Sequence, residues 1–246
     1  MNTQTLEALR LAGLDPASLP DLESMVPGAA NLVERGSELS DWQRARLGKI
    51  TCSQFYRVTR GRGDKGWSQT AQTYMNELIW EWLTDQPASR FSGNAATEWG
   101  HEHEAEAIAT YEKQYRRKVE RGKFVLAKGF SLVGGTPDGI GKSTGLEVKC
   151  PYGAANHVAV LLSDVEGLER VPKEYQDQVL GHMLITGKKG CVFVSYDPRP
   201  KKREWKMVVV EVERNEAEIQ ELSDRLTEFE EALIKRLDRL GVDWRK

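Results

Sequence analysis

Cysteine is scarce in this sequence of 246 residues, which contains only Cys52, Cys150 and Cys191. The three cysteines are far apart and form no CxxC pair, so a zinc site is not expected. An iron–sulfur cluster needs four thiolates, and it is disfavoured because the sequence has only three cysteines. Reduced thiols suit a reducing compartment, and we therefore expect the protein to act in the cytoplasm.

Long apolar runs and an excess of positive charge are also absent. Residues 1–15 do not combine a basic start with a long apolar run, and no stretch is apolar enough to span a membrane. We therefore expect neither a signal peptide nor a membrane partner. The 35 Lys and Arg residues against 37 Asp and Glu residues give a net charge of −2. This balance argues only weakly against nucleic acid, because a local basic surface can bind it.

The periodicity of the apolar residues predicts an α/β fold, with a central mixed β-sheet flanked by helices. No internal repeat or low-complexity linker divides the chain, so we expect a single domain over residues 1–246. Residues 1–40, interrupted by three prolines, are interpreted as a peripheral N-terminal helical segment. We predict further helices over 41–60 with a turn at Gly48, 70–84, 95–116, 173–186 and 215–240, and strands over 124–126, 131–134, 145–149, 191–196 and 206–212.

Two helices allow more specific predictions. Thr51 or Ser53 is placed to cap the helix that follows Gly48, since their hydroxyl oxygens can accept first-turn N–H groups. The C-terminal helix carries an apolar stripe, which we expect the chain's own sheet to cover in preference to a second subunit. In the helix over 95–116 we expect one face to enter the core and three glutamates to lie on another: the core residues are Ala105, Ile108, Ala109 and Tyr111, and the glutamates are Glu98, Glu102 and Glu106.

The segment 134–150 combines two carboxylates and a lysine around a turn. Asp138 follows one strand, and Glu147 and Lys149 lie two apart on the next, so both point to the same face. A hairpin-like return would bring Asp138 beside them. The simpler interpretation is an exposed Glu/Lys pair on a β-hairpin, and the pattern alone does not exclude it.

If the three groups converge, their chemistry points to a metal-dependent hydrolase. Two close carboxylates repel each other unless a cation is present. Oxygen ligands without Cys or His suit Mg²⁺, for which Mn²⁺ can substitute. Such an ion lowers the pKa of a bound water and holds a phosphate oxygen. Lys149 could then position or deprotonate the water, or offset charge on the phosphate, and the sequence leaves these roles open.

Six short motifs surround this segment between about residue 42 and residue 212. They are RLGKITCS at 46–53, WGHEHE at 99–104, TPDG at 136–139, LEVKCP at 146–151, YQDQV at 175–179 and YDPR at 196–199. In sequence and in order they resemble the motifs of the lambda exonuclease family of phage recombination nucleases, the YqaJ-type viral recombinases, within the PD-(D/E)xK nuclease superfamily. Leu180 departs from the family's pattern, which has a second Gln there.

The resemblance implies a 5′-to-3′ exonuclease that digests one strand of linear double-stranded DNA and leaves a 3′ overhang. It also implies Mg²⁺ with two ions per site, a ring-shaped homotrimer, and a single-strand annealing protein as partner in a bacterial or phage-infected cell.

The resemblance also implies roles for single residues. Asp138, Glu147 and the backbone carbonyl of Val148 would bind the metal, and Lys149 would be the catalytic lysine. The remaining residues fall into two groups: Glu104 and Gln178 would complete the catalytic site, and Arg46, Ser53 and Arg62 would bind the 5′ phosphate of the DNA. An Arg fork and a hydroxyl at a helix start are suitable phosphate ligands.

Several alternatives remain open at this point. Arg46 could instead pair with Asp41 on the surface, and Glu102 competes with Glu104 for the acidic role. The chain could be an endonuclease on the same core, or a DNA-binding protein with a degenerate nuclease fold. Two basic clusters, residues 116–118 and 201–203, are candidates for DNA contacts or for solvated surface. His101 and His103 lie two apart on a helix, so they would not face one metal together.

Overall fold

Two mixed β-sheets lie at the centre of the protein and helices flank them, which confirms the α/β prediction but divides the expected single sheet in two. The computed structural model describes residues 39–59, 66–88 and 95–245. The predicted N-terminal segment therefore lies outside the described residues except for its last two, as does Arg62. The extent of the single domain over 1–246 stays a prediction.

The helices and strands follow the predicted order with additions. The helices are α1 (Asp41–Arg46), α2 (Tyr56–Thr59), α3 (Gln69–Thr84), α4 (Ala95–Tyr115), α5 (Ala154–Leu161), α6 (Lys173–Thr186) and α7 (Glu216–Arg239). The strands are β1 (Ile50–Thr51), β2 (Val125–Leu126), β3 (Val133–Gly135), β4 (Gly139–Ile140), β5 (Thr144–Lys149), β6 (Gly190–Tyr196) and β7 (Met207–Glu213). Short 3₁₀ turns cover Cys52–Gln54, Gly167–Arg170 and Arg203–Trp205.

The larger sheet has the strand order β4-β5-β6-β7. Strands β5 and β6 are parallel, and the other pairs are antiparallel. All seven residues of β6 are buried, because this strand has a neighbour on each side and helices cover its faces. The smaller sheet has the order β1-β3-β2, with β1 parallel to β3. The strand β5, which carries the predicted catalytic pair, is thus held in the interior of the larger sheet.

The C-terminal helix α7 packs its apolar stripe on the chain's own core, as predicted, but mainly against helices α2, α3 and α6 and not on the sheet that we expected to cover it. Phe229 is fully buried and its ring lies 5.2 Å from that of Trp67 and 5.8 Å from that of Tyr74. Only the last residue of the predicted stripe, Leu240, is exposed. The stripe therefore needs no second subunit to cover it.

The prediction for residues 41–60 is only partly right after the turn. Gly48 adopts a positive φ of 67°, as the turn requires, but β1 and a 3₁₀ turn come first, and the helix that follows is limited to α2. Ile50 donates its N–H to the carbonyl of Leu132, so a distant strand recruits the segment into the sheet. The hydroxyl of Thr51 makes no cap hydrogen bond and lies 3.5 Å from the Ser53 hydroxyl.

The predicted core face of α4 is also partly wrong. Ile108 and Tyr111 are buried together with Ala107, but Ala105 and Ala109 are exposed. The face that meets the sheet is rotated relative to the one expected, because alanine fits either a core or a solvated surface and gives a weak signal. The short elements β4 and α5 were not predicted at all.

Candidate active site

The turn between β4 and β5 brings Asp138 beside the catalytic strand, as the hairpin prediction required. Gly139 and Ile140 pair antiparallel with Leu146 and Gly145. The side chain of Asp138 accepts a hydrogen bond of 2.7 Å from the backbone N–H of Val148. In a strand the N–H and C=O of one residue face the same edge. The Val148 carbonyl therefore lies on the edge of β5 that faces Asp138, where the predicted ligand set needs it.

Glu147 and Lys149 share one face of β5 and form an ion pair of 2.5 Å between Oε1 and Nζ. Glu147 is fully buried, whereas the Lys149 side chain is 26% exposed and reaches the surface of a cavity. The Lys149 ammonium also lies 4.9 Å from the centre of the Tyr175 ring, within range of a cation–π contact. These contacts exclude the interpretation as an exposed pair on a solvated hairpin.

Burial disfavours the charged form of both carboxyl groups, those of Asp138 and Glu147. It raises the pKa of Asp138 to about 7, and the neighbouring charge of Glu147 adds to the effect. Burial likewise raises the pKa of Glu147. For Lys149 burial acts to lower the pKa, but the Glu147 and Asp138 carboxylates outweigh it and raise it. The site therefore contains one charged ammonium group, that of Lys149, and two buried carboxyl groups. The ammonium does not fully stabilise the negative charge of both carboxylates.

The buried oxygens of Glu147 provide a test for a metal. Neither oxygen meets the geometric criteria for a hydrogen bond among the described residues, although the Lys149 ammonium forms an ion pair with Oε1. A buried polar atom without a partner is costly, and a divalent cation would satisfy it. In the described part of the chain, no three His, Cys, Asp or Glu side chains are spaced to hold an ion. A cation at this site would therefore take its remaining ligands from a backbone carbonyl and from water. The residues therefore fit Mg²⁺ or Mn²⁺ held by two carboxylates and a carbonyl, with waters completing its shell.

One face of α6 forms a wall of the cavity, which has a volume of about 780 Å³. Tyr175, Gln178 and His182 lie on this face at intervals of three and four residues. The helix approaches the 3₁₀ turn closely at Gly181, where a Cβ would lie 2.7 Å from the Phe55 ring. A larger residue at 181 would thus push α6, and with it the predicted Gln178, away from the site.

Glu104 reaches the same cavity from α4, and Glu102 does not line it. Glu104 Oε1 accepts a hydrogen bond of 2.7 Å from Arg121. Its charge contributes to the raised pKa values of both Asp138 and Glu147, so it is electrostatically coupled to them. Of the two competing glutamates, the geometry favours Glu104.

Arg46 and Ser53 lie at another wall of the cavity, as the phosphate-site prediction requires. The Arg46 guanidinium donates to the hydroxyls of Thr136 at 3.3 Å and Ser53 at 3.4 Å, and stacks over the Trp42 ring at 4.5 Å. Burial lowers the pKa of Arg46, which nevertheless stays charged in the accessible range. A half-buried guanidinium between two hydroxyls is suited to bind a phosphate, and this arrangement replaces the alternative of a surface pair with Asp41.

The two histidines and the two basic clusters do not converge on one site. His101 lines the cavity, but His103 Nδ1 is 3.5 Å from Glu106, so the two rings do not meet at one ion. In the basic clusters, Arg117 pairs with Glu211 and Lys118 with Glu112. Lys202 lies 4.0 Å from Glu204. These ion pairs do not test whether either cluster contacts DNA, so the DNA contacts of both clusters stay predictions.

The sequence did not single out His182 and Arg121. His182 is 1% exposed, and its Nδ1 lies 3.3 Å from Glu147 Oε2. Because His182 lies four residues after Gln178 in the predicted helix, helical periodicity would have placed it on the same face as Gln178. Arg121 lies in the segment between α4 and β2, which has no periodicity, and only the packing of that segment on the turn around Pro137 brings it to Glu104.

Comparison with known proteins gives a family and a set of similar structures. Residues 41–189 match the YqaJ-like viral recombinase domain. The chain is similar to a crystal structure of an alkaline exonuclease, LHK-Exo, from Laribacter hongkongensis, with 29% identity, a TM-score of 0.70, and coverage of 82% of this chain and 95% of that one. The same exonuclease in complex with dAMP gives a TM-score of 0.66 at 29% identity, covering 82% of this chain and 97% of that one.

A phage-related exonuclease from Haemophilus somnus has a TM-score of 0.63 at 14% identity, with coverage of 78% of this chain and 96% of that one. At that identity it supports the fold alone. The comparison with curated proteins gave no match.

Proposed function

Because the chain belongs to the family of YqaJ-like viral recombinases, we propose that it is a Mg²⁺-dependent exonuclease that digests one strand of linear double-stranded DNA from a 5′-phosphorylated end. The similarity to alkaline exonucleases supports a DNA exonuclease of the recombinase type. The observation that carries the finer proposal is a single cavity lined by the acidic groups and Lys149 on one side and by Arg46 and Ser53 on the other.

The residues of β4 and β5 would perform the hydrolysis. Asp138, Glu147 and the Val148 carbonyl would hold the ion, and Gln178 and Glu104 would border the reacting phosphate. A bound divalent ion supplies an acidified water and a Lewis acid for a phosphate oxygen. In the metal-free site the Glu147 and Asp138 carboxylates raise the pKa of Lys149 and favour its charged form. It is therefore suited to offset the charge that develops on the phosphate, in preference to acting as a base.

The wall around Arg46 supports the proposed direction of digestion. An enzyme that holds a terminal 5′ phosphate in a fixed pocket cuts at a fixed distance from that end and then repeats the step on the new end. Arg46 and Ser53 offer a charged fork and a hydroxyl for this phosphate. Arg62, which lies outside the described residues, stays a proposed third ligand.

The wider assignment rests on the resemblance. We propose two Mg²⁺ ions per site with Mn²⁺ as a substitute, a homotrimeric ring, and a single-strand annealing protein that takes up the 3′ overhang. We also retain the cytoplasm as the place of action. None of the helices in the described part of the chain has the length and apolarity to cross a bilayer.

The decisive experiment compares linear duplexes with 5′-phosphate and 5′-hydroxyl ends, labelled on either strand, with Mg²⁺ or with a chelator. At each end of the duplex we expect digestion of the strand whose 5′ terminus lies there, and not of its complement. We also expect faster digestion from 5′-phosphate ends than from 5′-hydroxyl ends, and no digestion when the metal is chelated. Relaxed closed circular DNA is the control. Its cleavage at the rate of linear DNA would support an endonuclease and contradict the proposal.

A further inference from the structure

His182 occupies a fully enclosed position against the acidic site. It lies on α6 one turn after Gln178, and it is 1% exposed. Its Nδ1 is 3.3 Å from Glu147 Oε2, while Lys149 approaches the opposite oxygen, Oε1, at 2.5 Å. The Glu147 carboxylate is thus flanked on both oxygens by nitrogen-bearing side chains, one from its own strand and one from the neighbouring helix.

The polar atoms at the contact between His182 and Glu147 lack hydrogen bonds. Both ring nitrogens of His182 and both oxygens of Glu147 are buried without a hydrogen-bond partner among the described residues, and of these four atoms only Oε1 is compensated, by its ion pair with Lys149. Leaving such groups unpaired costs free energy, and a hydrophobic residue of similar volume would avoid the cost. A histidine that served only to fill space would be better replaced by leucine here, so the imidazole is better explained by a role toward Glu147.

A second buried histidine shows what a purely structural role looks like in this protein. His157 on α5 is also 1% exposed, but both of its ring nitrogens are satisfied. Nδ1 lies 2.8 Å from the Ser195 hydroxyl and Nε2 lies 2.7 Å from the carbonyl of Trp205. It does not line the cavity. The two histidines therefore differ in contacts although they are equally buried.

We propose that His182 is a positioning residue, whose Nδ1–H holds Glu147 Oε2 so that the carboxylate presents its ligand orientation to the divalent ion. Side chains that hydrogen-bond to ligating groups fix their orientation, and their loss typically lowers metal affinity about 10- to 100-fold. The distance of 3.3 Å between Nδ1 and Oε2 is just beyond the usual range of an N–H···O hydrogen bond. This inference rests on the proposed function, because it requires the cavity to bind a divalent ion.

The test measures metal binding directly, with the full-length protein and no DNA. Calorimetric titration with Mn²⁺ is done on the wild type, His182→Leu and His182→Asn. Asparagine keeps a donor near the position of Nδ1, whereas leucine fills the space without one. We expect affinity for Mn²⁺ to fall about tenfold or more in His182→Leu and to be largely restored in His182→Asn. Thermal unfolding in chelator monitors the fold of each variant.

The control variant is His157→Leu, which should lower the unfolding temperature but leave the Mn²⁺ affinity of the folded protein unchanged. His182→Leu should show the reverse, with an unfolding temperature in chelator at or above that of the wild type. Equal Mn²⁺ affinity in the wild type and His182→Leu would overturn the inference. An equal loss in His182→Leu and His182→Asn would also overturn it, because the donor would then be irrelevant. A wild type that binds no Mn²⁺ would contradict the proposed function itself.

Discussion

Replacing Asp138 by Asn should stabilise the metal-free protein in a manner that depends on pH. Asn keeps an oxygen that can accept the hydrogen bond from Val148 and removes only the charge. In the wild type, burial raises the pKa of Asp138 from 3.8 to about 7. Between these values the folded state holds a proton that the unfolded state has released, so the stability of the wild type falls as pH rises through this window.

The size of the effect follows from the same shift. Each pH unit within the window costs a little over 1 kcal/mol, so the penalty is roughly 1–2 kcal/mol at pH 5 and roughly 4–5 kcal/mol at pH 8. The Asn variant does not pass through this titration. Its advantage over the wild type should therefore grow by about 3 kcal/mol from pH 5 to pH 8, or roughly 6 to 12 °C in unfolding temperature.

His182 has the opposite pH trend, because burial lowers its pKa to about 4. Loss of the Asp138 charge would lower this pKa further, so folded His182 is neutral from pH 5 upwards in both proteins and its contribution cancels in their difference.

The assay is urea unfolding followed by tryptophan fluorescence, in chelator, at pH 5, 6.5 and 8. The control is Asp197→Asn, since a hydrogen bond from Arg199 lowers the pKa of Asp197. The Asp197 carboxylate stabilises the fold above its ordinary pKa, so this variant should be less stable than the wild type by the same amount at pH 5 and pH 8. Adding Mg²⁺ at pH 8 should stabilise the wild type and not Asp138→Asn. A difference between Asp138→Asn and the wild type that stays constant from pH 5 to pH 8 would refute the reasoning.

Three further predictions concern activity and packing. Lys149→Ala should reduce digestion by more than about 100-fold while DNA binding in a gel-shift assay persists, and the exposed Lys142→Ala should leave both unchanged. Arg46→Ala should raise KM for 5′-phosphate ends and remove most of their advantage over 5′-hydroxyl ends, an outcome that the neighbouring Arg44→Ala should not reproduce in steady-state kinetics. Phe229→Ala should lower the free energy of unfolding by about 3–5 kcal/mol in urea titrations, because it empties a fully buried ring position; a loss under 1 kcal/mol would contradict the packing of α7.

The strand β5, which carries Glu147 and Lys149, could be predicted from sequence because its information is local. Side chains alternate between the two faces of a strand, so Glu147 and Lys149 share a face whatever packs around them. The turn of glycines and polar residues that follows Asp138 reverses the chain and brings Asp138 beside these two residues. The long helix α7 was equally predictable, since its stripe repeats over six turns of the helix.

The wrong predictions arose where a distant element decides the conformation. Residues 50–54 have no strong preference of their own, and pairing with β3 makes a strand of the first two. Ala107 is buried in place of Ala105 because the packing of α4 against the sheet sets its rotation, and alanine carries little information about burial. Two-residue strands such as β4 are too short for any periodic signal.

By itself the sequence determined which groups could perform the chemistry: two carboxylates and a lysine on neighbouring strands, with the motifs that relate them to a nuclease family. Only the tertiary structure decided how these groups are poised. It enclosed Glu147 fully, set His182 against it, brought Glu104 and not Glu102 to the cavity, and placed Arg46 on another wall of the same cavity. The physical reason is that burial and its effect on pKa depend on contacts between residues far apart in the chain, which no local pattern encodes.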